Sequence, residues 1–400
     1  MLWDALTFQL GYNATLVAIG AALLGLSAGA TGTFLFLRKR ALVSDAISHA
    51  TLPGVGLAFI LMVAFGGEGR NLPGLLLGSA VSAGLGLLGV SWLTRHTRLG
   101  EDAAIGAILS VFFGAGIVLL TVIQTMGAGR QAGLEDFLLG STAGMLYSDA
   151  VLITVGGALV LALVGLLHRP MVLVAFDADY AASAGVNTAR VDIAIMGLVM
   201  AITVVGLKVV GLILIIALLI IPAVAARFWT NSAGAVALVA GAIGGVSGYL
   251  GSAISASAPG LPTGPIIVLT AFTIFVGSLL LAPERGVMAA ILRHFAFQRR
   301  VHVRQGLLAI AQGQAIYEQL TIRLLVRAGL ARPDGVATDL GRSRAAKALR
   351  DEARWEVVRR HEAFSGTAAL YDGLREIETV LTPDQVAEVD MLLGAPESTA

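Results

Sequence analysis

Between residues 14 and 282 the chain repeats one pattern: runs of about 20 mostly apolar residues, separated by short polar gaps. A run of that length matches the hydrocarbon thickness of a bilayer. In lipid, every backbone N–H and C=O must be satisfied within the protein, so such runs fold as helices. The runs cover 14–37, 42–65, 72–93, 103–126, 149–167, 192–206, 209–227, 234–254 and 265–282. The run 192–206 is short and can join 209–227 across Gly206-Leu207-Lys208, so eight or nine spans are expected. Only 13% of residues are charged, against about 25% in a soluble globular chain. The expected fold is all-α: a polytopic membrane protein followed by a mainly helical cytoplasmic domain.

Charge marks where the membrane part stops. Residues 283–400 hold 16 of the 27 basic and 15 of the 26 acidic residues. The expected division is a transmembrane domain over 1–285 and a polar extension over 286–400. The tail is nearly neutral, which argues against nucleic acid as a partner. Its periodicity predicts helices over 314–330 (Ile316, Leu320, Leu324) and 345–358 (Leu349, Trp355, Val358). Thr382-Pro383-Asp384-Gln385 reads as a capping box with Pro at the first helical position, and Gly394 as the stop.

Lys and Arg in short loops set the orientation. With nine spans, Arg38-Lys39-Arg40, Arg95, Arg98, Arg169, Arg190 and Arg227 fall on one side, which is read as cytoplasmic. Arg70, Arg130 and Lys208 fall on the other, with Lys208 expected to snorkel to the interface. The tail then lies in the cytoplasm and the N-terminus outside. MLWDALTFQLGYN lacks a basic n-region and does not read as a cleaved signal.

Asp45 and His49 stand in SDAISHATLPG, at the start of an apolar run that reaches Phe65. Four residues apart, they share one helix face. A carboxylate at the centre of a membrane helix costs about 2.5–3.5 kcal/mol on insertion scales. The residues allow two readings: a carboxylate–imidazole ligand set for a divalent ion, or an internal hydrogen bond bracing a helix that Pro53 bends. Intramembrane ionisable groups are functional by default, which favours the ligand reading.

The connection 168–191 reads HRPMVLVAFDADYAASAGVNTARV. Asp177 suits an N-cap, the small residues after it a short helix over about 178–184, and Gly185 a C-terminal stop. The spacing alone fits a plain connector or a docking helix. Glu101 and Asp102 open a helix, where they favour the positive end of its dipole. Glu135 and Asp136 read as a solvated loop on the outer side. Pro222 reads as a kink or a stop. His96, His168, His294, His302 and His361 fall in expected loops or the tail.

No stretch matches G-x-x-x-x-G-K-[ST], and the lysines are Lys39, Lys208 and Lys347. A phosphate-cradling loop is therefore not expected, and with it no ATPase of the chain's own. With no cysteine, thiolate metal sites and disulfides are excluded.

Four ordered blocks carry a family resemblance: ALVSDAISHATLPGVGLAFIL, EDAAIGAILSVFFGAGIVLL, LEDFLLGSTAGMLYSDAVL, and FDADYAASAGVNTARVD with GLKVVGLILIIALLIIPAVAARF. Together they resemble the permease subunits of ATP-binding-cassette importers of manganese, zinc and iron, over roughly residues 14–282. The resemblance implies a homodimer or paired permease in a bacterial-type inner membrane. It implies two partners: a separate ATP-binding subunit and an extracytoplasmic metal-binding protein. It implies a divalent metal ion as substrate, with no permanently bound cofactor. Asp45 and His49 match the family's intramembrane pair, taken to meet the metal in transit. Phe176, Asp177, Tyr180, Ala181, Ala184 and Gly185 match the segment that seats in the ATPase. The tail resembles the winged-helix extension of some such permeases. In those, histidines usually precede the Trp-Glu pair; here Ala353-Arg354 do, which argues against metal sensing and leaves a regulatory or assembly role.

Two transport rivals remain. An importer of metal chelates such as siderophores needs a wide apolar cavity, which an Asp–His pair does not suit. A secondary transporter that needs no ATPase is expected to show internal repeats around midplane carboxylates. A third reading is a membrane-anchored regulator whose working part is the tail.

Overall fold

The computed structural model describes residues 3, 7, 11–67, 69, 71–126, 145–258 and 260–394. They form two compact units, one up to Ala289 and one from Ala290. Apart from one isolated antiparallel bridge, Ala331 to Ala337, the regular structure among the described residues is helical.

The first unit contains α1 (Tyr12–Leu37), α2 (Ala41–Ala64), α3 (Leu72–His96), α4 (Glu101–Thr125), α5 (Tyr147–Phe176), α6 (Ala178–Ser183), α7 (Thr188–Ala226), α8 (Ala233–Ala256) and α9 (Thr263–Leu281). Eight helical segments among the described residues are long and apolar enough to span a membrane, and Val210–Ala226 is a shorter apolar ninth. The eight-or-nine count holds for this reason. α1 and α2 are the most enclosed spans, whereas α4 and α9 turn most of their surface outward. The largest apolar core runs through Leu24, Ile47, Ile153, Ile202, Leu218 and Ile267, joining α1, α2, α5, α7 and α9.

Small residues decide how closely α1 and α8 approach. A Cβ on Gly25 would overlap the carbonyl oxygen of Gly244, and one on Gly244 would overlap that of Gly25. Lipid tails are as apolar as leucine, so membrane helices associate by close packing of this kind.

Two boundaries differ from expectation. The run ending at 167 continues as helix through Pro170 to Phe176. Pro170 removes one helical hydrogen bond, but Met171 packs in the Phe34 and Leu198 cluster with Val172 beside it, and this burial holds the extra turns. His168 therefore lies within α5, edge-on to Phe34 at 5.9 Å, and not in a loop. The interruption expected at 206–208 falls instead at Gly211, with φ 77° and ψ 171°. Only glycine visits that region freely. Gly206 serves packing, since a Cβ there would sit 2.7 Å from Ile215 Cδ1. Pro222 stays inside α7 and neither ends it nor marks its break.

The second unit begins inside α10 (Val287–Ala311) and continues with α11 (Gln319–Arg327), α12 (Asp339–Arg360), α13 (Ser365–Ala368) and α14 (Pro383–Gly394). The capping box forms: Gln385 Oε1 accepts from Thr382 N at 3.0 Å, and Thr382 Oγ1 from Gln385 N at 3.4 Å. Trp355, Val358, Phe364, Ile377, Leu381 and Val389 make one core. Leu325, Leu330 and Ala331 make a smaller one, with Ile316 packed beside it. The helix expected over 314–330 is shorter: 314–318 has no helical structure, the helix runs Gln319–Arg327, and Leu320 on it is exposed. Leu349 is exposed as well, although its helix forms. Arg354 grips Asp390 with Nε and Nη2, each at 2.6 Å.

Arg70, Arg130, Glu135 and Asp136, and the side chain of Lys208, lie outside the described residues.

Candidate metal path and coupling segment

α2 carries Asp45 and His49 one turn apart, and Asp45 Oδ1 stands 3.2 Å from His49 Nε2. Both are half-buried; Asp45 is the more open, with 36% of its side chain exposed against 20% for His49. Neighbouring hydroxyls do not compete for the pair. Ser44 donates to Ala41 O at 2.7 Å, Ser48 to Ser44 O at 2.8 Å, and Thr51 to Ser48 O at 2.5 Å. Those three side chains face the buried side and are satisfied by their own helix.

The second ring nitrogen of His49, Nδ1, is buried without a hydrogen-bond partner. Phe113 of α4 meets the ring edge-on, centroids 4.9 Å apart. One turn on, Pro53 has no N–H to give the His49 carbonyl, so that oxygen loses its helical donor. α4 comes close at this same level: a Cβ on Gly116 would stand 2.6 Å from Leu52 Cβ. Among the described residues no third His, Asp or Glu joins the pair to form a metal cluster. One chain therefore brings one carboxylate and one imidazole, open on the Asp45 side. That donor set is hard to borderline and suits manganese, iron(II) or zinc.

The segment after α5 has the expected form. Asp177 caps α6, its carboxylate accepting from Tyr180 N at 2.8 Å. Gly185, at φ 84°, ends the turn, with Gly185 N donating to Ala182 O and Val186 N to Ala181 O. Ala181 is fully buried and pins α6 down, while Phe176 and Tyr180 stand about 60% exposed. Asp177, Ala184 and Gly185 are exposed too. The exposed Phe176 ring ends α5 and the exposed Tyr180 ring stands on the short capped helix α6.

Sequence reasoning missed an ion-pair network at the same end of the helices. Arg38 Nη2 and Arg40 Nη1 reach Asp192 Oδ2 at 2.8 and 3.4 Å, and Arg40 Nε reaches Glu101 Oε1 at 2.8 Å. Arg38 Nη1 also donates to the Val174 carbonyl at 2.8 Å. Glu101 does open α4, as expected, but it has a guanidinium partner besides the helix dipole. The signal available in sequence was a lone Asp192 just inside an apolar helix.

The described bundle is built of helices long and apolar enough to cross a membrane, with a carboxylate and an imidazole adjacent on one of them, a polytopic membrane protein by its fold. The chain belongs to the ABC 3 transport family, whose model matches residues 12–282. It is 40% identical over 310 residues to the manganese transport system membrane protein MntC of Bacillus subtilis, covering 77% of this chain and 70% of that one. It is also 40% identical over 294 residues to the zinc transport system membrane protein TroC of Treponema pallidum, covering 74% and 96%. Among solved structures, PsaBC from Streptococcus pneumoniae in complex with Fab matches with a TM-score of 0.62 and 29% identity, over 71% of this chain and 98% of that one.

Proposed function

We propose that this protein moves a divalent transition-metal ion past Asp45 and His49, driven by ATP hydrolysis in a separate subunit. It is the membrane permease of an ABC manganese/zinc import system. The observation that carries the path is the open Asp45–His49 pair, with its buried, unpartnered Nδ1, in a helix with no other ionisable side chain. Two donors do not complete a tetrahedral or octahedral shell. A second copy across a dimer would bring the count to four, with water filling the rest.

An extracytoplasmic metal-binding protein delivers the ion. Phe176 to Gly185 seat in the ATP-binding subunit on the cytoplasmic side, and the exposed Phe176 and Tyr180 support that reading. The membrane is the bacterial inner membrane. Residues 286–400 form a cytoplasmic extension with a regulatory or assembly role.

The test is uptake of radiolabelled manganese, zinc and iron into vesicles containing this chain and its ATP-binding subunit, supplied with the extracytoplasmic metal-binding protein. ATP-dependent accumulation of a bare ion supports the reading. Accumulation only of chelated metal, or uptake unchanged without ATP, overturns it. Removing 286–400 should leave transport in place.

A further inference from the structure

The turn between α1 and α2 is only Arg38-Lys39-Arg40, and Lys39 takes the left-handed φ of 58°. Two arginines flanking such a residue can converge, and here both reach one oxygen of Asp192. Asp192 lies in the second turn of α7, just past the coupling segment. Val174, whose carbonyl takes the other Arg38 nitrogen, lies just before that segment. Arg38 thus holds both flanks of residues 176–185.

Arg40 continues the chain of contacts. It is the N-cap residue of α2, five residues before Asp45, or roughly 7.5 Å along the axis. It also holds Glu101, the first residue of α4, which is the helix whose Phe113 touches His49. The two helices that frame the metal pair therefore begin at the same carboxylate–guanidinium cluster that grips the coupling segment. The cluster is half-buried, with side-chain exposure from 16% for Arg38 to 36% for Glu101. Partly buried charge pairs of this kind are screened less than pairs on the open surface.

We propose that Asp192 is a positioning residue for transport. Through Arg38 and Arg40 it carries displacement of the coupling segment to α2, and so to Asp45 and His49. This rests on the transport reading above. A purely structural staple would fix the fold but would not govern how much metal moves per ATP.

The experiment measures metal uptake and ATP hydrolysis together in vesicles holding the complete transporter. Asp192→Asn should keep hydrolysis within about twofold and lower uptake per ATP at least tenfold. Asp192→Glu, which keeps the charge, should recover most of the ratio. Arg40→Gln, which loosens α2 and α4 and leaves Arg38 in place, should lower the ratio as well. If Asp192→Asn fails to assemble, Arg40→Gln carries the test. An unchanged ratio in Asp192→Asn or Arg40→Gln, or uptake and hydrolysis falling in parallel, overturns the inference. Wild-type vesicles without ATP-driven uptake would instead overturn the transport reading, so the two failures are distinct.

Discussion

Asp45 Oδ1 and His49 Nε2 stand 3.2 Å apart on one helix, while His49 Nδ1 is buried with no partner. A brace needs only the first contact; a metal ligand needs a charge and a free lone pair. Asp45→Asn keeps an oxygen for the brace and removes the charge. It should lower uptake at least tenfold with normal protein level and melting temperature. His49→Gln should do the same. Full uptake by both variants at normal expression would leave the pair as a brace alone.

The break in α7 depends on Gly211. At φ 77° and ψ 171° an alanine is strained by about 1–3 kcal/mol. Gly211→Ala should lower the melting temperature in detergent. Gly197→Ala, in the same helix with nothing within 4 Å of a new Cβ, should not. Equal melting of the two variants would show that the break relaxes freely.

Gly25 and Gly244 test the close approach of α1 and α8. Gly25→Val places side-chain atoms where the Gly244 carbonyl lies, an overpacking worth about 1–3 kcal/mol or more. Gly84→Ala, which meets open space, serves as the control. Thermal unfolding should separate them by several degrees.

In the second unit the Arg354 guanidinium holds Asp390 below the usual carboxylate range. A lowered folded pKa adds stability at neutral pH, and that addition is lost as pH falls below the ordinary Asp value of about 3.9. Burial pushes Asp351 the other way, so its ionised form is disfavoured in the fold as pH rises. Asp390→Asn should reduce hydrogen-exchange protection across 339–394 in the full chain at pH 7, and the difference from wild type should shrink towards pH 3. A constant difference across that range would remove the ion pair as its source. The effect is small, because Asp390 is 43% exposed.

The sequence carried the spans because a bilayer imposes one length and one composition. It carried α6 because Asp177 and Gly185 are local signals that need no distant partner. It misplaced the end of α5, since a proline suggests a boundary and only burial of Met171 against other helices shows otherwise. The break was placed at Gly206 rather than Gly211 because a glycine looks the same whether it serves packing or backbone conformation. Leu320 and Leu349 fit a helical period yet face outward, since periodicity says nothing about which face a domain covers. The Arg38–Asp192 contact joins residues 154 apart in the chain, and no local pattern announces it.

Where Gly25 meets the Gly244 carbonyl, no side chain lies between α1 and α8 to flex or re-pack. Backbone against backbone has no soft layer, and helices packed this way resist sliding by part of a turn. The α1–α8 pair is thus expected to travel as one rigid body, whichever way its neighbours turn.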